Sequence, residues 1–151
     1  MAWTYRRRVF YYETDRMGVV HHSNYLRILE EARMDWMDNC AICYSELEKQ
    51  GIIIPVTDAA EQFVHFLRFD DPFSVTLRMI KYSSVKLGFS YEVHNEDTGT
   101  LCLSATSTHF FSKEERDADG ARTYRPVSIR HEFPELDATF RALLAQDSAA
   151  I

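Results

Sequence analysis

Asp15, Gly18, His21, His22, Ser23 and Asn24 fall within one short run, Thr14-Asp15-Arg16-Met17-Gly18-Val19-Val20-His21-His22-Ser23-Asn24-Tyr25. The run places a carboxylate before a glycine turn and then leads into the start of a helix. That pairing suits attack on a carbonyl. The acid supplies or activates the nucleophile, and the helix N-terminus, with its partial positive charge, steadies the oxyanion. A lone aspartate in such a place also reads as a turn former or cap. Gly18, which permits close backbone approach to a ligand, and the adjacent helix start favour the chemical reading. His21 and His22 are neighbours and point in different directions. No H-x-x-x-H or matching carboxylate pair follows, so no metal site is expected. Neither a G-x-S-x-G elbow nor a phosphate loop occurs. Glu30 and Glu31 read as a solvated helix edge, ion-paired with Arg27 or Arg33, rather than as a catalytic dyad. His65, His94 and His109 lie in strand patterns and read as structural or surface residues.

Elements on both sides must hold this run in place. Tyr5 to Tyr12 is rich in β-formers and predicts a strand, with Val9 to Tyr12 leading into the run. From Ser23 or Asn24, either of which would cap the first amides, Tyr25, Ile28, Leu29, Ala32 and Trp36 recur at helical spacing as far as about Asn39. Tyr44 to Gln50 predicts a short helix closed by Gly51. The period then changes to that of strands. A strand region begins at Ile52–Val56 and resumes through Phe63 to Phe69. Ser74 to Tyr82, Leu87 to His94 and Leu101 to Phe111 alternate, with a turn at Asn95 to Gly99. In the last of these, Leu101, Leu103, Ala105, Ser107 and His109 share one side. Lys113 to Gly120 reads as a charged loop, and Pro134 to Gln146 as a C-terminal helix. The order β-α-β-β-β-β-α is an α+β plan in which a sheet curls around one long helix.

The 151 residues fit one domain, 1–151, large enough for a core. The formal charge of −6 argues against a nucleic-acid binder. No apolar stretch approaches the about 20 residues of a membrane helix, so no integral membrane segment is expected. Arg6 to Arg8 precede no long apolar region and read as the solvated start of a strand rather than a signal peptide. Cys40, Cys43 and Cys102 are an odd set without an export signal, which fits a reducing cytoplasm. Cys40-Ala41-Ile42-Cys43 lacks a second ligand pair for zinc and sits at the far end of a helix, so its thiols read as structural.

The motif resembles that of the hotdog-fold acyl-CoA thioesterases, within the 4-hydroxybenzoyl-CoA thioesterase family and its Tol–Pal-associated branch. The matching residues are Tyr12, Thr14-Asp15, Gly18-Val19-Val20, His22, Asn24-Tyr25, Glu30 and Ala32-Arg33, without a gap. Arg68 to Phe73 and Ser84 to Tyr91 add support, while 113–151 carry little of the pattern. The resemblance implies a five- or six-stranded antiparallel sheet around a central helix. It implies homodimers or homotetramers, with sites at the dimer interface. The substrate would be an acyl-CoA or acyl carrier protein thioester, and no cofactor is needed beyond the coenzyme A that the substrate carries. The family's catalytic aspartate falls on Asp15, and its carbonyl-polarising amide on His22. Gly18, Val20 and Tyr25 would shape the acyl site. Lys86, with Lys81 and Arg125, would meet the coenzyme A phosphates. Arg16 and Met17 depart from the family's small-Gly-Gly pattern and bear on substrate choice. A non-catalytic acyl-CoA binder and a hotdog enoyl-CoA hydratase or dehydratase are the alternatives.

Overall fold

A computed structural model describes residues 2–40 and 42–149; Ala41 of the C-x-x-C segment lies outside them. Five strands form one antiparallel sheet in the order β1-β4-β5-β6-β3: β1 (Trp3–Arg8), β3 (Val56–Phe63), β4 (Pro72–Tyr82), β5 (Lys86–Asn95) and β6 (Leu101–Phe110). The long helix α1 (His22–Asn39) lies on its inner face, which is the hotdog arrangement. Tyr25, Ile28, Leu29, Ala32 and Trp36 are all buried, as their spacing predicts. They meet the alternating inner residues of the strands, such as Leu77, Phe89, Val93 and Leu103. Trp36 packs edge-on to Phe89 with ring centroids 5.2 Å apart. Burying each such side chain contributes about 1.5–3 kcal/mol.

Two short helices, α2 (Tyr44–Lys49) and α3 (Ile129–Glu132), and a C-terminal helix, α4 (Pro134–Ser148), complete the helical part. Phe140 of α4 is fully buried against Tyr82 and Phe111, at ring distances of 5.3 and 5.5 Å. Asp147 of α4 accepts a 2.7 Å bond from the Met79 amide, at a point where β4 has run past its pairing with β1.

Three sequence expectations change. The first strand ends at Arg8, and Tyr11–Glu13 is a 3-10 turn instead of strand. The buried Glu13 carboxylate bonds back to the Phe10 amide and to Arg7, which pulls the chain round. The third strand is Val56–Phe63, not Phe63 to Phe69. Past Phe63, the Val64 and His65 amides both turn to the Cys102 carbonyl, and the chain leaves the ladder. The charged stretch after Phe111 is not a loop but a hairpin of β7 (Ser112–Arg116) and β8 (Arg122–Pro126), which joins β2 (Ile52–Ile53) in a three-stranded sheet. Its polar faces hide the strand period. Ion pairs across it, Glu114–Arg122 at 3.1 Å and Glu115–Arg125 at 2.6 Å, supplement the ladder.

A buried polar chain runs beneath α1. Arg33 donates to the Tyr91 hydroxyl at 3.2 Å, which lies 2.7 Å from Ser107 Oγ, itself 2.8 Å from His109 Nε2. Burial, aided by the Arg33 charge, pushes His109 from 6.5 down to about 4. The unfolded chain therefore takes up a proton near pH 6.5 that the folded chain refuses until about pH 4. The stability this adds is complete above pH 6.5 and is lost as the pH falls toward 4. Thermal melts between pH 7 and pH 5 are expected to show a smaller acid loss for His109→Gln than for the wild type. Equal acid sensitivity in the two proteins would contradict this account.

Candidate active site

The run around Asp15 is a tight reversal. The Asp15 amide donates to the Val19 carbonyl and the Gly18 amide to the Asp15 carbonyl, both at 2.9 Å. Gly18 has φ +77°, a conformation that side chains disfavour. Thr14 bridges to Val20, and Val19 to Arg68. Within the turn the Met17 amide donates to Asp15 Oδ1 at 2.8 Å. No donor meets Oδ2 among the described residues.

Helix α1 begins one or two residues earlier than the sequence suggests. Its cap is His21, in extended conformation, whose Nδ1 accepts the Ser23 amide at 3.2 Å. Asn24 lies inside the first turn, and its Nδ2 donates to the Glu13 carbonyl at 2.8 Å. The Asn24 amide returns to the His21 carbonyl. The His22 amide is thus the first-turn donor that meets no acceptor among the described residues. A free N–H at a helix start is suited to hold negative charge.

One clamp anchors both halves. Arg7 forms a two-pronged ion pair with Glu13, at 2.7 and 2.8 Å, and reaches Glu31 of α1 at 2.8 Å. Burial works against the Arg7 charge, but the two carboxylates outweigh it and raise its pKa above the ordinary value. Glu13 in turn offers its carbonyl to the His21 amide at 2.9 Å and to the Asn24 side chain. Glu31 therefore pairs with Arg7 rather than Arg27, whereas Glu30 does approach Arg33, at 3.9 Å.

Asp15 and His22 line one cavity of about 450 Å³, together with Met17, Val20 and Tyr25. Burial pushes the Tyr25 hydroxyl up to about 12, so it stays neutral. Gly18 shapes the turn without lining the cavity. Lys86 opens β5 opposite Phe110 and is not among the lining residues. Arg125 is held by Glu115 and Glu132. The opposite wall is Phe63, Val64, His65 and Phe66, which the sequence reading does not assign to a site. Phe63 meets Tyr25 edge-on at 5.6 Å. The signal for this wall is apolar bulk left exposed: Phe63 and Phe66 are 52% and 63% accessible. A larger cleft of about 610 Å³, between α2 and the start of α4, shares no lining residue with this cavity. No group of three or more His, Cys, Asp or Glu side chains is placed to hold a metal among the described residues.

Residues 9–142 match the profile of the Thioesterase-like superfamily. The chain belongs to that superfamily. It is 31% identical to the Bacillus subtilis protein named "Putative acyl-CoA thioesterase YneP", over 84% of this chain and 86% of that one. It is 27% identical to the 1,4-dihydroxy-2-naphthoyl-CoA hydrolase of Thermosynechococcus vestitus, over 68% and 70%. The crystal structure of the DHNA-CoA thioesterase from Staphylococcus aureus superposes with a TM-score of 0.89 at 28% identity, covering 99% of this chain and 95% of that one. The chain shares the hotdog fold of its thioesterase-like neighbours, built here from an antiparallel sheet of five strands and a C-terminal helix.

The clamp makes a direct prediction. Glu13→Gln leaves the buried Arg7 charge half-paired and is expected to destabilise the fold by about 3 kcal/mol in urea unfolding. Exchange of the His21 and Asn24 amides with solvent should quicken with it. Unchanged exchange at both amides would show that the helix start does not depend on Glu13.

Proposed function

We propose that this protein hydrolyses an acyl-CoA thioester to the free acid and coenzyme A. The observation that carries this reading is the pairing of two unsatisfied groups over one cavity, Asp15 Oδ2 and the His22 amide. With the thioester oxygen at the His22 N–H, the helix start favours the charge that develops on that oxygen. Met17 holds Oδ1, which leaves Oδ2 to act on the carbonyl carbon. As general base, Oδ2 takes a proton from water while the hydroxyl oxygen bonds to that carbon. The C–S bond then breaks, and the leaving thiolate takes the proton back from Asp15. Acting as nucleophile, Oδ2 bonds to the carbonyl carbon, the C–S bond breaks as coenzyme A leaves as thiolate, and water then opens the mixed anhydride to the acid and the Asp15 carboxylate. Incorporation of labelled oxygen from water into Asp15 in a single turnover distinguishes the two.

The aromatic wall and the relatives named for 1,4-dihydroxy-2-naphthoyl-CoA favour an aryl or other compact apolar acyl group. The ungapped motif from Tyr12 to Arg33 supports placement near the 4-hydroxybenzoyl-CoA and Tol–Pal-associated thioesterases. Coenzyme A, rather than a carrier protein, is the thiol we expect, and no added cofactor is required. A homodimer or homotetramer is the assembly we propose. β3 has a sheet neighbour on one side only, and Val56 and Phe63 lie exposed along it.

Thiol release from aryl-, short- and long-chain acyl-CoAs, and from acyl carrier protein thioesters, tests the reading. Asp15→Asn should reduce kcat/KM by roughly 10³-fold while leaving the melting temperature nearly unchanged. His22→Ala keeps the backbone N–H and should lose less than Asp15→Asn. Wild-type turnover by Asp15→Asn would overturn the mechanism, and acyl-CoA binding without thiol release would point to a non-catalytic binder.

A further inference from the structure

Arg33 carries the one formal charge in the polar chain beneath α1, and the chain gives it a hydrogen-bond partner but no countercharge. Its side chain is 9% exposed. Nη1 donates to the Tyr91 hydroxyl at 3.2 Å. The one carboxylate within ion-pair reach among the described residues is Glu30, 3.9 Å from Nη2, which is too far for a hydrogen bond. Glu30 itself is 67% exposed and mostly in water. An arginine buried to this degree is ordinarily paired. Its Nε and Nη2 meet no acceptor, yet neither is sealed, because the sealed polar atom without a partner among the described residues is Glu61 Oε1. These donors therefore open into free space.

That space is a cavity of about 360 Å³ between the second half of α1, α2 and the segment Ile54-Pro55-Val56. It shares no lining residue with the cavity of Asp15 and His22. Met34, Met37 and Ile54 give it an apolar wall. Tyr44 also lines it. The Tyr44 oxygen accepts the Ile54 amide at 3.4 Å, and burial pushes the hydroxyl up, so its O–H is kept and is left to donate. His109 adds no charge, since its Nε2 lies 2.8 Å from Ser107 Oγ and burial keeps the ring neutral. Glu30 and Glu48 line the cavity as exposed acids, which disfavours a second negative charge on any occupant.

We propose that this cavity binds a small apolar monocarboxylic acid, with its carboxylate on the Arg33 guanidinium and its tail against Met34, Met37 and Ile54. The planar fork of arginine matches a carboxylate in two parallel bonds. The Tyr91–Ser107–His109 chain holds that fork in place beforehand, so little freedom is lost on binding. The occupant takes over from Glu30, which swings into solvent. A free acid is also what the proposed hydrolysis releases. That link rests on the hydrolytic reading, but the site does not, because binding needs no turnover.

The methionines report the site directly. Met34 and Met37 line this cavity, and Met17 lines the one at Asp15. With methyl-labelled methionine, titration with hexanoate or benzoate should move the Met34 and Met37 signals saturably and leave Met17 in place. The signals are assigned by their loss in Met34→Leu and Met37→Leu. Hexanamide and benzamide, which keep the shape and lose the charge, should bind roughly tenfold more weakly. Glu30→Gln removes an exposed competitor and should tighten binding about threefold. Arg33→Gln should weaken it by roughly tenfold or more. The comparison of acid with amide uses the wild-type protein and so does not depend on how the Arg33 variant folds. Unmoved Met34 and Met37 signals, movement of Met17 alone, or equal affinity for acid and amide would each overturn the proposal. Binding of the acid in a protein that releases no thiol would leave the site standing and remove only the hydrolytic reading.

Discussion

The Arg7 guanidinium governs the geometry of the site, although it does not touch the cavity. It joins β1, the 3-10 turn and α1 through Glu13 and Glu31, and lies over the Phe10 ring at 4.5 Å. Arginine suits this place because its planar fork matches a carboxylate in two parallel bonds. Glu13 is 3% exposed, so the charge on either partner is tolerable only while the other remains. The Glu13 backbone then carries the constraint onward, since its carbonyl receives both the His21 amide and the Asn24 side chain. The helix start is therefore hung from a buried ion pair, and its free amide cannot drift relative to Asp15 without breaking that pair.

The same arrangement explains why the cap is a histidine. Ser23 and Asn24 are the better cap formers by intrinsic preference. Asn24 instead lies inside the first turn with its Nδ2 on the Glu13 carbonyl, and the helix extends back to His22. This backward shift leaves the amide of His22, rather than that of a later residue, as the open donor. A local preference yields to a long-range bond, and the yielding is what aligns the donor with the aspartate.

Much of this was legible in the sequence, and the failures have physical causes. The face of α1 was readable because five apolar residues repeat at helical spacing, and every one is buried. The inner side of β6 was readable in the same way, down to Ser107 and His109. The turn holding Asp15 and His22 was visible from the carboxylate, the glycine and the resemblance that spans them. The opposite wall was not. Phe63 to Phe66 looked like strand interior because the residues are strong β-formers, whereas the chain leaves the ladder there to close over the cavity. The clamp was also hidden: Arg7 read as one of three solvated arginines, and nothing local announces that Glu13 and Glu31 converge on it. The β7–β8 hairpin was missed because it lacks an apolar face, which is the only part of a strand that periodicity detects.

Two inward-facing polar features on adjacent strands separate structural from chemical purpose. Along β6, Ser107 and His109 are bonded in a chain with Tyr91 and Arg33, and a network with every member satisfied adds rigidity without reactivity. Next to it on β3, Glu61 faces the same interior at the level of Ala105, yet one of its oxygens has no partner. Selection for stability alone would favour an apolar residue there, since replacing an unpaired buried polar group by an apolar one of similar size is neutral or stabilising. The two features differ in what lies beside them. His109 sits deep beneath α1, while Glu61 shares its strand face with Phe63, which packs on Tyr25 at the cavity. The satisfied chain lies in the core under α1, whereas the unpaired oxygen lies on the strand whose last residue, Phe63, forms a wall of the cavity.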